Sequence, residues 1–172
     1  MKPKAFKRRG MTLLELVIAS SMMAVLLTAV TLVLRSSRQA WEAHEGDYIL
    51  LEGLHATLRH MVRQVRQADA VTAISAASDN SGALTLKMPD GSTVAWDHDG
   101  ATSTVKCGVT TADQLLSTNI TGLNIVGYKP DGVTATTVPS EIQNLKVSVT
   151  VQLPRETNAT RTYSSWAWIR SW

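Results

Sequence analysis

The sequence has one cysteine, Cys107, in 172 residues, which excludes an internal disulfide framework and a multi-cysteine metal site. No histidine or basic pair flanks it closely, so it reads as a small strand residue with no assigned role. Also absent are Gly-x-Ser-x-Gly, a Walker A loop and His-Glu-x-x-His. The four histidines have no spacing that couples them to a nucleophile. The sequence therefore offers no catalytic constellation and calls for no cofactor.

Acidic residues are missing from the first ten positions, which carry Lys2, Lys4, Lys7, Arg8 and Arg9. The formal charge of +3 belongs to this segment, because the remaining chain has 12 basic and 14 acidic residues, a formal −2. A nucleic-acid-binding surface would show basic clustering. Beyond the terminus the 12 basic residues are dispersed, the scattered Arg59, Arg63 and Arg66 of the predicted helix coming nearest to a cluster, so no nucleic-acid partner is expected. The length suits one domain plus a terminal element.

What is present begins at Met11. Residues 11–34 are apolar apart from small hydroxyl residues and one carboxylate, Glu15, and contain no proline. As a helix this run reaches roughly 36 Å, enough to cross a hydrocarbon core of about 30 Å. The five cations before it, with Glu42, Glu45 and Asp47 after it, place the amino terminus in the cytoplasm by the positive-inside tendency. The run is too long for the apolar core of a cleaved secretory peptide, and Ala-x-Ala spacing is absent at its far end. A plain signal anchor would fit its length but leaves Glu15 unexplained, because an ionisable group inside a membrane segment is costly and calls for a partner.

The string Lys7-Arg8-Arg9-Gly10-Met11-Thr12-Leu13-Leu14-Glu15-Leu16-Val17 resembles the class III leader and cleavage site of type IV prepilins and type II secretion pseudopilins. The resemblance implies cutting by a prepilin peptidase between Gly10 and Met11, followed by N-methylation of Met11. It also implies a role for Glu15 in assembly, where its carboxylate neutralises the terminal amine of a neighbouring subunit. Met11 stands where the family more often has phenylalanine.

After Leu34 the pattern becomes amphipathic without an obvious breaker until about Ala68. Trp41, His44, Tyr48, Leu51, His55, Leu58, Val62 and Val65 recur at spacings of 3 and 4, which predicts one helical stripe covering the sheet that follows. His44 and His55 on that stripe would lie about 16 Å apart, too far for one metal ion. Gly46 and Gly53 weaken the helix.

Beyond Ala68 short alternating runs predict antiparallel strands. Leu84, Leu86 and Met88, the turn Pro89-Asp90-Gly91 and then Thr93–Trp96 read as a hairpin. Ile120–Tyr128 is a further strand, closed by Pro130-Asp131-Gly132. Leu145, Val147, Val149, Val151 and Leu153 give a strand with one buried face, paired with a last strand over about Arg161–Ile169. The predicted fold class is α+β, a long N-terminal helix packed on an antiparallel β-sheet head. The expected division is leader 1–10, transmembrane helix 11–34, amphipathic helix 35–68 and β-rich head 69–172. This layout resembles pilin-like proteins throughout. The segments Leu58–Ala68 and Leu115–Gly132 look like those of J-type minor pseudopilins and PilW-like minor pilins.

Two features of the head draw notice. Asp97-His98-Asp99-Gly100 starts like an EF-hand loop but lacks the later ligands, so it reads as a turn. Some pseudopilin heads hold calcium, which keeps Asp97 and Asp99 as weak metal candidates. Trp166, Trp168 and Trp172 fall on one face of the terminal strand, and either pack against the helix or a neighbouring strand or form an exposed partner surface.

The resemblance implies a structural assembly subunit and not an enzyme, in a type II secretion or type IV pilus-like system. It would sit as a single-pass protein in the bacterial inner membrane with an extracytoplasmic head. Its implied partners are the prepilin peptidase, other pilin or pseudopilin subunits, the inner-membrane assembly platform and membrane lipid, with energy from an ATPase on another protein. The alternatives are a membrane-tethered binding domain, or a minor pilin for adhesion or DNA uptake.

Overall fold

A computed structural model describes residues 11–153 and 159–170. The chain divides into two compact units, Met1–His44 and Glu45–Trp172. Helix α1 covers Leu13–Gln67, and antiparallel strands follow it. The fold is therefore α+β with a long amino-terminal helix, the predicted class.

In the second unit the strands form two sheets where one was expected. The first is a meander of five strands in sequence order: β1 (Ala70–Ile74), β2 (Ala83–Lys87), β3 (Thr93–Asp99), β4 (Thr104–Val109) and β5 (Gln114–Thr118). The second has four, β6 (Ile120–Tyr128), β7 (Ala135–Thr136), β8 (Asn144–Gln152) and β9 (Thr160–Trp168), in the order β7-β6-β8-β9. The break between them is one residue long. Asn119 takes a left-handed conformation (φ 60°) between β5 and β6, which asparagine tolerates better than most residues. The amide of Ile120 then bonds the carbonyl of Ser103 at 3.0 Å.

The two predicted Pro-Asp-Gly turns close as expected. Gly91 and Gly132 have φ of 85° and 69°, a region a side chain would disfavour. Asp90 accepts bonds from the Ser92 amide and hydroxyl, and Asp131 from the Val133 and Thr134 amides. The hydroxyls of Ser92 and Thr134 in particular hold these two carboxyls below the usual carboxylate range.

The helical stripe needs correction. Leu54, Leu58, Met61, Val65 and Ala68 are buried at spacings of 4, 3, 4 and 3. Of the expected stripe only Leu58 and Val65 are buried, with Leu51 and Val62 half-buried. Trp41, His44, Tyr48 and His55 are exposed. Counting large aromatic rings and histidines as core members shifted the phase, whereas Leu54 and Met61 mark the true face. Thr57 on this face is fully buried and bonds the Gly53 carbonyl at 2.9 Å, so it leaves no polar atom unpaired. The face packs into one core with Leu84, Leu86, Trp96 and Val105 of the first sheet and Leu123, Ile125, Leu145, Val147 and Val149 of the second.

Two of the histidines touch aromatic rings. His55 meets Tyr163 edge to face at 5.0 Å. Trp96 donates its indole N–H to Nδ1 of His60 at 3.3 Å. Burial of the ring, then the nearby Arg63 guanidinium, hold the His60 pKa below its ordinary 6.5.

The corrected stripe makes Met61→Ala destabilising by about 2–5 kcal/mol and Tyr48→Ala nearly neutral, within about 0.5 kcal/mol. Denaturant melts followed by tryptophan fluorescence check this, and equal losses would overturn the assignment. His60 makes a second prediction. Because its folded pKa is lowered, the unfolded chain takes up the proton first, so its contribution to stability is present above 6.5 and is lost as pH falls through and below that value. The thermal midpoint should drop on acidification across that range, and the drop should shrink in His60→Gln.

Candidate processing and assembly site

The amino-terminal residues form a local network absent from the sequence reading. Thr12 stands just before α1, and its carbonyl accepts the first helical bond, from the Leu16 amide at 3.2 Å. Its hydroxyl oxygen accepts from the Glu15 amide at 3.3 Å. Oε2 of Glu15 reaches back to accept from the Thr12 amide at 3.0 Å and the Thr12 hydroxyl at 3.1 Å. This is a reciprocal capping box, with Thr12 at the N-cap and Glu15 at the third helical position. The signal was legible as Thr-x-x-Glu ahead of an apolar run. The carboxylate also lies where the positive end of the helix dipole favours it. Met11, one residue before the cap, has an exposed side chain. Gly10 lies outside the described residues.

From Met11 to Leu34 every residue is exposed, Met11, Leu13, Leu14, Leu16 and Val17 among them. The most apolar 18-residue window of α1 has mean hydropathy 2.4 and none of it is buried within the chain. Its hydroxyl residues turn back on their own helix. Ser20 and Ser21 bond the Val17 and Ile18 carbonyls at 3.0 and 2.8 Å, and Thr28 and Thr31 bond those of Ala24 and Leu27 at 2.8 and 2.7 Å. Such bonds satisfy the polar atoms without water, as a lipid environment demands.

The other candidates lie in the second unit. The run Asp97-His98-Asp99 is strand, and the turn begins only at Gly100. Asp99 accepts from the amides of Ala101 and Thr102 and from the Thr102 hydroxyl, and the Thr102 hydroxyl most of all keeps its pKa low. Asp97 is exposed, while His98 between them is buried with Nε2 at 2.8 Å from the Ile120 carbonyl. Among the described residues no group of three His, Cys, Asp or Glu side chains comes together as a metal site. Asp97 and Asp99 thus gain no third ligand. Cys107 is half-buried, and burial, then Asp113, push its thiol pKa up, which disfavours the thiolate. Trp166 and Trp168 are 45% and 62% exposed on β9. Trp172 lies outside the described residues.

Residues 5–31 match the prokaryotic N-terminal methylation motif. The match spans Gly10 and Met11, the capping box and most of the apolar run, and it stops short of the sheets. It supports a type IV pilin-like subunit that is processed by a prepilin peptidase and assembles with other pilins. No curated protein and no solved structure gives a significant match.

Replacing Thr12 by valine keeps the shape of the side chain and removes the cap. Amide exchange in the first turn of α1 should quicken about fivefold in a micelle, the equivalent of about 1 kcal/mol for a lost N-cap. Unchanged protection of the Glu15 amide, the one that bonds the Thr12 hydroxyl, would overturn the capping assignment.

Proposed function

We propose that this chain is a minor pseudopilin or minor pilin, an assembly subunit of a type II secretion or type IV pilus-like system. In this reading the peptidase cuts between Gly10 and Met11 and methylates the Met11 amine. Residues 11–34 anchor the subunit in the inner membrane with the amino terminus cytoplasmic and the head outside. The observation that carries the reading is Glu15, the one carboxylate in the otherwise apolar, wholly exposed stretch of residues 11–34.

The capping geometry suits an assembly role. Among the described residues the cap engages only Oε2, and a carboxylate has about four acceptor sites. Oε1 is therefore available to the Met11 amine of an adjoining subunit. Pairing would lower the desolvation cost of both charges in a lipid-surrounded bundle. The partners are then the other subunits, the assembly platform and lipid. The second reading, a tethered binding domain, uses the same helix only as an anchor.

Mass spectrometry of the mature chain should find an N-methylated Met11, and an intact Met1 would overturn the processing step. Glu15→Ala should still be cleaved yet fail to co-purify with the other subunits. Undiminished incorporation of that variant would overturn the pairing role of Glu15.

A further inference from the structure

The outer face of the second sheet carries a small built site that the assembly reading does not use. Register places Tyr128, Asn144 and Trp168 in one row across β6, β8 and β9, with Lys146 and Trp166 in the adjacent row. Trp168, Trp166, Asn144 and Gly132 line a shallow pocket of about 350 Å³. Tyr128 braces Trp166 at 4.8 Å between ring centroids, tilted by 40°. The Lys146 ammonium lies 5.8 Å from the Trp166 centroid. Gly132, at the crest of its turn, has no side chain to close the pocket. Asn144 is 97% buried, its exposure being 3%, and its Oδ1 has no hydrogen-bond partner among the described residues.

We infer that this pocket binds a neutral oligosaccharide, stacking sugar rings on Trp166 and Trp168 over the Asn144 amide. Trp166 and Trp168 are two residues apart on one strand, about 7 Å, a step comparable to that between neighbouring rings of a glycan chain. Their partly exposed indole rings offer apolar surface for the C–H face of a pyranose. The Asn144 side chain forms part of the pocket floor beneath the two rings. Beyond Trp166 the same face continues in hydroxyls, Ser148 with Ser164 and Thr150 with Thr162, each pair 2.8 Å apart. These rows are uncharged, which suits a neutral, hydroxyl-rich ligand. Lys146 is the one charge in the two aromatic rows, too little for a polyanion, and nearby Lys129 is paired with Glu141 at 3.0 Å. A peptide strand would instead add to the free edge of β9 through its backbone.

The site lies wholly within the second unit, so it stands or falls independently of processing at Gly10. The full-length protein in a sugar-free detergent is titrated with chitotriose, cellotriose and maltotriose by calorimetry and tryptophan fluorescence. At least one should bind saturably. Trp166→Ala and Trp168→Ala, at exposed positions, should each weaken that binding at least tenfold with an unchanged circular dichroism spectrum. Leu115→Ala on β5 should leave it unaltered. No saturable binding of any of the three sugars at millimolar concentration, or binding that survives both tryptophan replacements, would overturn the inference.

Discussion

The second unit depends on the face of α1 that runs through Leu54, Leu58, Met61 and Val65. Among the described residues neither sheet has another element of comparable length to cover its inner side. Full burial of a side chain of this size stabilises by about 1.5–3 kcal/mol, so this one face supplies a large part of what holds the strands. It also sets the register of the polar contacts. His60 lies beside Met61 and accepts the Trp96 indole, and His55 lies beside Leu54 and meets Tyr163. Those contacts follow from the phase of the helix and would be lost if it rotated by one residue.

That phase was the part of the helix the sequence hid. The alternation of 3 and 4 is satisfied by more than one set of residues when aromatics and histidines are scattered among leucines. Trp41 and Tyr48 are large and apolar, yet they stand exposed, because the core begins only at Leu54. The long strands were legible because β6 and β8 each have nine residues and one face that is buried almost throughout. Strands β1, β5 and β7 are short, and β4 contains Gly108, where an added Cβ would collide with the Thr111 carbonyl oxygen. Period-two counting fails on such segments. The division into two sheets rests on the left-handed Asn119, a backbone event with no hydrophobic signature.

At the amino terminus the balance is reversed. Gly10, the Glu15 carboxylate and the apolar run are linear features, and sequence alone carried them. Geometry added the hydrogen-bonding partner of Glu15. In the isolated chain this carboxylate already caps its own helix, so its position does not by itself demand a second subunit. The back-bonded serines and threonines solve the related problem of carrying hydroxyls through an apolar environment. The tryptophan face of β9 shows the opposite limit. Alternation placed Trp166 and Trp168 on one face, but only pairing with β8 set them beside Asn144.

The single residue joining the sheets has a mechanical consequence. With Asn119 as the sole link between β5 and β6, and one helical face bedded against both sheets, there is no slack segment between them for a hinge. A pull along residues 45–67 would load the two sheets together in shear, across a core of interlocked side chains. Such a part transmits force as a solid body and yields all at once.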